Sequence, residues 1–392
     1  MIMYSAYNNL YLCYCKFMPL ISKEACKTGL PKLWHCKLTK ERQMQNKNYD
    51  LKDYRNILYS IPKTEIHLHL EGMASVDTIW SLIQKHTLNI PGIENREDII
   101  KRFQVKNLND FIDLFLNVIQ NCFREEIDFT LLMNDARNYL KRNNIIYAEI
   151  FFAPTKFVMN GFSFDKMMEY LDQGATSIKK EEGIDIKFLI DVSRGFGAGN
   201  AMNNLDLTLK YKKPSVIGIG LGGAESLGPA KDYKKVFKKA KKEGLKIVAH
   251  AGEDVGPESI WSSIKDLKIS RIGHGISAIQ DEKLMRYLEK TQIPLEICPM
   301  SNIFTKKYVT SYKDHPIKLF YNRGMYVTVN TDDPAIFGLE LIEEYLNLLK
   351  NGIFTLTEIF DLIKKNLYAT FLTNTEKDAI WVKMEKVLKQ YR

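Results

Sequence analysis

The stretch Thr64–Gly72, TEIHLHLEG, sets two histidines one residue apart in an apolar run. A strand turns alternate side chains to the same face. His67, His69 and Glu71 are therefore expected to point one way, and Ile66, Leu68 and Leu70 the other. A polar face inside a protein needs partners. A metal ion supplies one, because neutral imidazole is a common zinc ligand. The pair alone does not separate a metal site from a packed core strand, so the rest of the chain has to decide.

Short apolar runs of the same kind recur downstream. They are IIYAEIFF (145–152), DIKFLIDVS (185–193), VIGIGL (216–221), LKIVAH (245–250), ISRIGH (269–274), IPLEICP (293–299) and MYVTVNTD (325–332). With the opening run they make eight. They are rich in β-branched residues and largely apolar, as buried parallel strands are. Helical sequence separates them, for example DYKKVFKKAKKEG (232–244), which ends on a glycine stop signal. Strands alternating with helices predict an α/β protein. Eight strands in this span predict a (β/α)8 TIM barrel rather than a doubly wound sheet. Residues 73–144 are too many for one crossover helix and are expected to form several helices over one end of the barrel. The tail after Gly338 reads as two or three more.

The chain has 392 residues and a formal net charge of +9. Residues 1–55 hold +6 of it, so the body is nearly balanced. No segment joins a dense basic run to interleaved aromatics, which argues against a nucleic-acid partner. No segment is long and apolar enough to span a bilayer, and the opening residues make a poor signal peptide. Four of the six cysteines, Cys13, Cys15, Cys26 and Cys36, lie near the start, leaving Cys122 and Cys298 in the body. That is no disulfide framework, so a reducing, cytoplasmic setting is expected. The spacing of Cys13, Cys15, His35 and Cys36 fits no compact zinc module. Residues 1–43 read as a flexible extension, with Met44 a candidate start, and residues 44–392 as a single barrel domain.

Active sites of such barrels sit at the C-terminal strand ends. Strand one ends at His67, His69 and Glu71, and strand four in GLGGAE. Strand five ends in HAGED with His250 and Glu253, strand six at His274, and strand eight in NTDDP with Asp332 and Asp333. A packed core histidine explains any one of these but not the convergence of all on one rim. His67, His69, His250 and Asp332 are the expected metal ligands. Three imidazoles and a carboxylate leave room for a water in zinc's coordination shell. Asp333, next along, is expected to face a substrate. His274 is placed to orient or deprotonate the water, and Glu253 to act as general acid. Gly222, Gly223 and Ala224 let a backbone N–H approach a flat ligand.

KTEIHLHLEG, GLGGAE, HAGED, RIGHG, CPMSN and VTVNTDDP occur in this order over roughly residues 60–370. In these motifs the chain resembles the adenosine deaminase family of zinc aminohydrolases. The resemblance implies one Zn2+ per chain on His67, His69, His250 and Asp332. It implies that Glu253 gives a proton to purine N1, that His274 serves the zinc-activated water with Asp332, that Asp333 contacts N7, and that the Gly223 N–H reaches N3. His69 borders the substrate as well as the metal. LNDFIDLFLNVI resembles the family's apolar gate, with Leu108, Phe111, Ile112 and Phe115 toward the purine; alone it reads as an amphipathic helix face.

One position departs from the animal-type pattern, which has Asp where this chain has Glu71. Bacterial and fungal relatives, adenine deaminases among them, carry Glu there. Glu71 is expected to accept a hydrogen bond from a ribose hydroxyl, or else to brace the strand. Gly273 before His274 and the glycines of LGGAE favour a nucleoside. The expected reaction is hydrolysis of adenosine and 2′-deoxyadenosine to their 6-oxo products and ammonia. The alternatives are adenine giving hypoxanthine, or a modified 6-aminopurine nucleoside such as methylthioadenosine. A two-metal hydrolase lacks its bridging lysine here, and a pure binding protein has no need of Glu253. The expected partner is therefore a small-molecule purine nucleoside; oligomeric state is open.

Overall fold

Eight short, largely buried strands form one sheet. The structure, a computed structural model, describes residues 50–391, of which Asp53–Tyr391 make one compact unit. The expectations for residues 1–43 lie outside the described residues. The strands are β1 (Lys63–His69), β2 (Ile145–Phe152), β3 (Asp185–Asp191), β4 (Val216–Leu221), β5 (Lys246–Ala251), β6 (Arg271–His274), β7 (Leu295–Ile297) and β8 (Val327–Val329). They pair in sequence order, each parallel to the next. β1 is buried along its whole length, as both faces of a barrel strand must be.

The ring closes between β8 and β1, and this seam matters for function. Leu68 bridges Asp332 in parallel register. The His69 N–H donates to the Asp332 carbonyl at 2.9 Å, and the Asp332 N–H donates to the His67 carbonyl at 3.1 Å. Three of the four expected ligands therefore sit on one pair of backbone hydrogen bonds. Side chains complete the seam below them. Asn330 Oδ1 accepts from the Ile66 N–H at 3.2 Å, and Glu65 Oε1 accepts from the Thr331 N–H at 2.8 Å.

β7 and β8 are three residues each, shorter than the sequence runs suggest. β7 stops because Pro299 starts a helix, Pro299–Thr305, and proline suits a helix's first position. β8 hands over early to the side-chain ladder just described. Between β1 and β2 lie the helices Val76–Lys85, Arg96–Phe103, Leu108–Asp113 and Phe129–Arg142, with a wide π-helical turn at Leu114–Ile119. Three helices, Leu341–Lys350, Leu356–Ala369 and Asn374–Leu388, form the tail. Inside the barrel Phe151, Leu189 and Val248 make a buried apolar layer. The Phe151 ring lies 5.1 Å from both the His67 and His69 rings and is stacked on the latter. This layer is the apolar floor on which the polar strand ends stand.

Candidate active site

His67, His69, His250 and Asp332 come together with one ligand atom each, all within 4.8 Å of one another. His67 Nε2 is 3.1 Å and His69 Nε2 3.2 Å from His250 Nε2. Asp332 Oδ1 is 3.4 Å from His67 Nε2 and 3.2 Å from His69 Nε2, and it has no hydrogen-bond partner. Three ring nitrogens and a bare carboxylate oxygen facing one point need a cation.

The far sides of the rings are already committed. His67 Nδ1 lies 2.7 Å from Glu296 Oε2, and His250 Nδ1 lies 3.2 Å from the Leu221 carbonyl. A ring that donates from Nδ1 turns the Nε2 lone pair toward the shared centre, as metal-bound histidines do. Glu296 is itself ion-paired with Arg271, which also meets Glu149 at 2.6 Å. Burial would raise the Glu296 carboxyl, but Arg271 and His67 hold it below its usual range. Burial, helped by His67, pushes the His250 imidazole well down, which keeps it neutral and fit to ligate. Burial works against ionised Asp332 as well. The adjacent His67 and His69 rings, with His274, outweigh burial and hold it well below the ordinary carboxylate range. The donor set suits one zinc ion in kind and number.

Around this centre the other strand ends arrange reacting groups. His274 and Asp332 both adopt left-handed backbone, φ 60° and 69°. Such strain in non-glycine residues persists only where the surroundings impose it. Gly273 precedes His274 because a Cβ there would lie 2.9 Å from His67 Cε1 and 3.1 Å from His250 Cα. Glu253 Oε2 is 3.4 Å from His274 Nε2. Burial, then the neighbouring Asp332 and Glu225 carboxylates, push Glu253 well above the ordinary carboxylate range, in the direction that favours its protonated form. Burial and Asp332 do the same to Asp333, whose Oδ1 has no partner. Gly72 makes room for Asp333: a Cβ there would sit 2.0 Å from Asp333 Oδ1. Ser301 Oγ donates to Asp332 Oδ2 at 2.8 Å.

These groups form one end of a cavity of about 380 Å³. Glu253, His274, Asp332, Asp333, His69 and Gly223 line it, and Gly223 holds the φ of +79° that favours glycine. Phe111, Ile112 and Phe115 reach the same wall, where Phe111 stacks on Phe337 at 5.9 Å. The side chain of Leu108 lies outside what is described. The lining also includes Lys156, Ser193, Phe196 and Leu227. Lys156 forms no ion pair with any described carboxylate.

Glu71 departs from expectation. β1 ends at His69, Leu70 turns helical, and Glu71 opens a 3-10 turn, so the strand's alternation no longer sets its direction. Its Oε1 accepts from Gln120 Nε2 and the Ala153 N–H, both at 3.0 Å, and Glu71 does not line the cavity. Through Oε1 it braces the strand end, while its Oε2 is buried and has no hydrogen-bond partner.

Other residues went unread in the sequence. Glu225 accepts from three successive N–H groups of the HAGED loop, Gly252 at 2.8 Å, Glu253 at 2.7 Å and Asp254 at 3.1 Å, and from the Ser259 hydroxyl. It is a buried clamp on the acid's backbone. Glu296 was visible as a lone acid in an otherwise apolar strand. Asn302, bonded to His274, closes the CPMSN motif but had no role read for it, and His315, bonded to Asn302, lies in no motif.

The comparisons agree with this geometry. The family model described as adenosine deaminase matches residues 62–387. An adenine deaminase of Crocosphaera subtropica is 31% identical over 84% of this chain and 99% of its own. An aminodeoxyfutalosine deaminase of Streptomyces avermitilis is 32% identical over 84% and 92%. The crystal structure of an adenine deaminase from Arthrobacter aurescens superposes with a TM-score of 0.79, at 26% identity, over 84% of this chain and all of that one.

Proposed function

Because the chain belongs to the adenosine deaminase family and is a metal-dependent deaminase of an aminopurine, we propose that its substrate is a 6-aminopurine nucleoside substituted beyond the ribose, rather than adenosine. The observation that carries the reading is the cavity. At about 380 Å³ it falls within the ~300–1,000 Å³ range of small-molecule sites. The purine occupies the metal end, and Lys156, Ser193, Phe196 and Leu227 remain for what N9 carries. Sequence reading favoured adenosine; the loss of Glu71 as a ribose contact weakens it. That same loss, with adenine deaminases among the relatives, favours a second reading in which the substrate is free adenine.

His67, His69, His250 and Asp332 would hold the zinc ion. When bound it supplies Lewis acidity that makes water nucleophilic near neutral pH. The protein's own groups do the rest. Protonated Glu253 donates to N1, so the ring accepts the electrons displaced when oxygen adds at C6. Asp333 holds the ring edge at N7, and the Gly223 N–H holds N3. Phe111, Ile112 and Phe115 exclude water from the face of the base. His274 fixes the attacking oxygen. The hydroxyl proton of the tetrahedral C6 centre passes to the amine, which leaves as ammonia and gives the 6-oxo purine, and the other proton of the water restores Glu253.

Ammonia release from zinc-loaded protein tests the choice. The panel is adenine, adenosine, 5′-methylthioadenosine and AMP. A 5′-substituted nucleoside or nucleotide should exceed adenosine at least about tenfold in kcat/KM, the effect of one extra well-made contact. Adenosine ahead of all the others would reject the reading. Adenine ahead would establish the second.

A further inference from the structure

We propose that His315 and Asn302 set the tautomer of His274 and so make it a hydrogen-bond donor, through Nε2, to the oxygen that attacks the purine. The chain of hydrogen bonds starts at a backbone amide. The Ile317 N–H, at the start of the helix Ile317–Asn322, donates to His315 Nδ1 at 3.1 Å. An amide N–H can only donate, so His315 Nδ1 must accept. A neutral imidazole whose Nδ1 accepts carries its proton on Nε2. Burial pushes His315 down to about 3, so the ring is neutral at ordinary pH.

His315 Nε2 lies 3.3 Å from Asn302 Oδ1 and donates to it. That contact fixes which way the amide faces. The Asn302 NH2 then points at His274 Nδ1, 3.0 Å away, and donates to it. His274 Nδ1 accepts, so its proton resides on Nε2. Reversing the amide would set the His315 N–H against an NH2 and His274 Nδ1 against an oxygen, and the first of these leaves two buried donors facing each other. Nothing along this path is open to solvent: His315 is 4% exposed, Asn302 0% and His274 1%.

The end of the chain is the telling part. His274 Nε2 is buried and has no hydrogen-bond partner. It lies 3.4 Å from Glu253 Oε2 and 3.8 Å from Asp332 Oδ2, at the cavity wall. An N–H aimed at that point lacks only an acceptor. Neutral His274 has no free lone pair there with which to take a proton. It therefore holds the oxygen by donation instead of deprotonating it. His315, which touches neither substrate nor metal ligands, is a positioning residue two hydrogen bonds away. The inference rests on the proposed deamination only for the identity of the oxygen; the tautomer itself can be read without turnover.

The test uses zinc-loaded protein with 15N-labelled histidine and long-range 1H–15N correlation of the His274 ring. The wild type should show the Nε2–H form. In Asn302→Asp the carboxylate accepts from both rings, so His274 should switch to Nδ1–H. Its kcat should fall about 100-fold, the scale of a misdirected acid–base group, with zinc content and KM little changed. Should that variant not fold, His315→Gln and His315→Leu supply the comparison. Gln can still donate to Asn302 Oδ1 and should keep kcat within about threefold, whereas Leu cannot and should lose about tenfold or more. An Nδ1–H tautomer in the wild type, or a Leu variant as active as the Gln variant, overturns the proposal. Zinc-loaded wild type that releases no ammonia from any 6-aminopurine would instead overturn the function proposed above, and leave the tautomer result standing.

Discussion

Replacing Glu225 by Gln should disable the general acid without touching it. Glu225 Oε1 takes the Glu253 and Asp254 N–H groups, and Oε2 takes the Gly252 N–H and the Ser259 hydroxyl. Gln has one acceptor oxygen. Placed toward Glu253 and Asp254, it leaves the Gly252 N–H facing an NH2, while Ser259 can turn its hydroxyl to accept. One buried donor goes unpaired, at about 1–3 kcal/mol, and the remaining bonds lose their ionic share. Stability should therefore drop by about 2 kcal/mol. The activity loss should be larger in proportion, because the released segment carries Glu253. Misplacement of a reacting group by about 1 Å can cost about 100-fold. We expect kcat to fall between about 10- and 100-fold, with zinc retained. Urea denaturation, metal analysis and ammonia release on one preparation measure all three. A variant with an unchanged urea midpoint and kcat within twofold of wild type would refute the clamp.

Four further outcomes follow from the same geometry. His250→Ala removes one donor of four, so zinc content and activity should fall together; full zinc occupancy would strike His250 from the ligand set. Glu253→Gln should lower kcat by about 10²–10⁴-fold with zinc bound. Because the raised Glu253 must be protonated to act, wild-type kcat/KM should decline as pH rises through its pKa, and a variant that keeps that alkaline limb would point to another acid. Lys156→Gln should cut kcat/KM for AMP about tenfold, the value of a partly exposed charge-assisted bond, and leave adenine unaffected; equal losses would place Lys156 outside substrate recognition. Glu344 is fully buried, neither of its oxygens has a hydrogen-bond partner, and burial raises it to about 8. Its folded pKa exceeds its unfolded one, about 4.3, so it favours folding most below that value and loses that contribution as pH climbs to 8. Glu344→Gln should match wild type near pH 5 and exceed it by a few kcal/mol at pH 8, read from urea midpoints; parallel pH slopes would exonerate Glu344.

The four residues that the structure gathers into a cluster able to hold a metal ion were legible in sequence because such chemistry leaves little choice of residue. Histidine at His67, His69 and His250 and aspartate at Asp332 are conspicuous at the ends of apolar strands, and a barrel sends all strand ends to one rim. The eight-strand order was legible for the same reason of burial on both faces. What supports the ligands was not. Glu225, Asn302 and His315 act through contacts with residues 27, 28 and 13 positions away, and no local period reports such pairs. β7 was overextended because Pro299 opens a helix, and β8 because side chains such as Glu65 and Asn330 take over the ladder; apolar sequence looks alike whether backbone or side chain completes the bonds.

Glu71 shows where pattern reading fails and why the failure bears on substrate. The period of two holds only while φ and ψ stay extended. Leu70, at φ −60° and ψ −46°, breaks it one residue before Glu71. The carboxylate then swings to Gln120 and Ala153 instead of the cavity. Gln120 does line the cavity, so Glu71 can still act at one remove by fixing the amide that faces the ligand. Oε1 accepts from Gln120 Nε2, which leaves Gln120 Oε1 without a hydrogen-bond partner. Glu71→Gln should loosen that amide and affect every substrate that reaches it by a similar factor, on the order of tenfold. A direct ribose contact predicts otherwise: a loss on adenosine and none on adenine. Measured kcat/KM for the two bases of comparison separates these outcomes, and a loss confined to adenosine would restore Glu71 to the sugar.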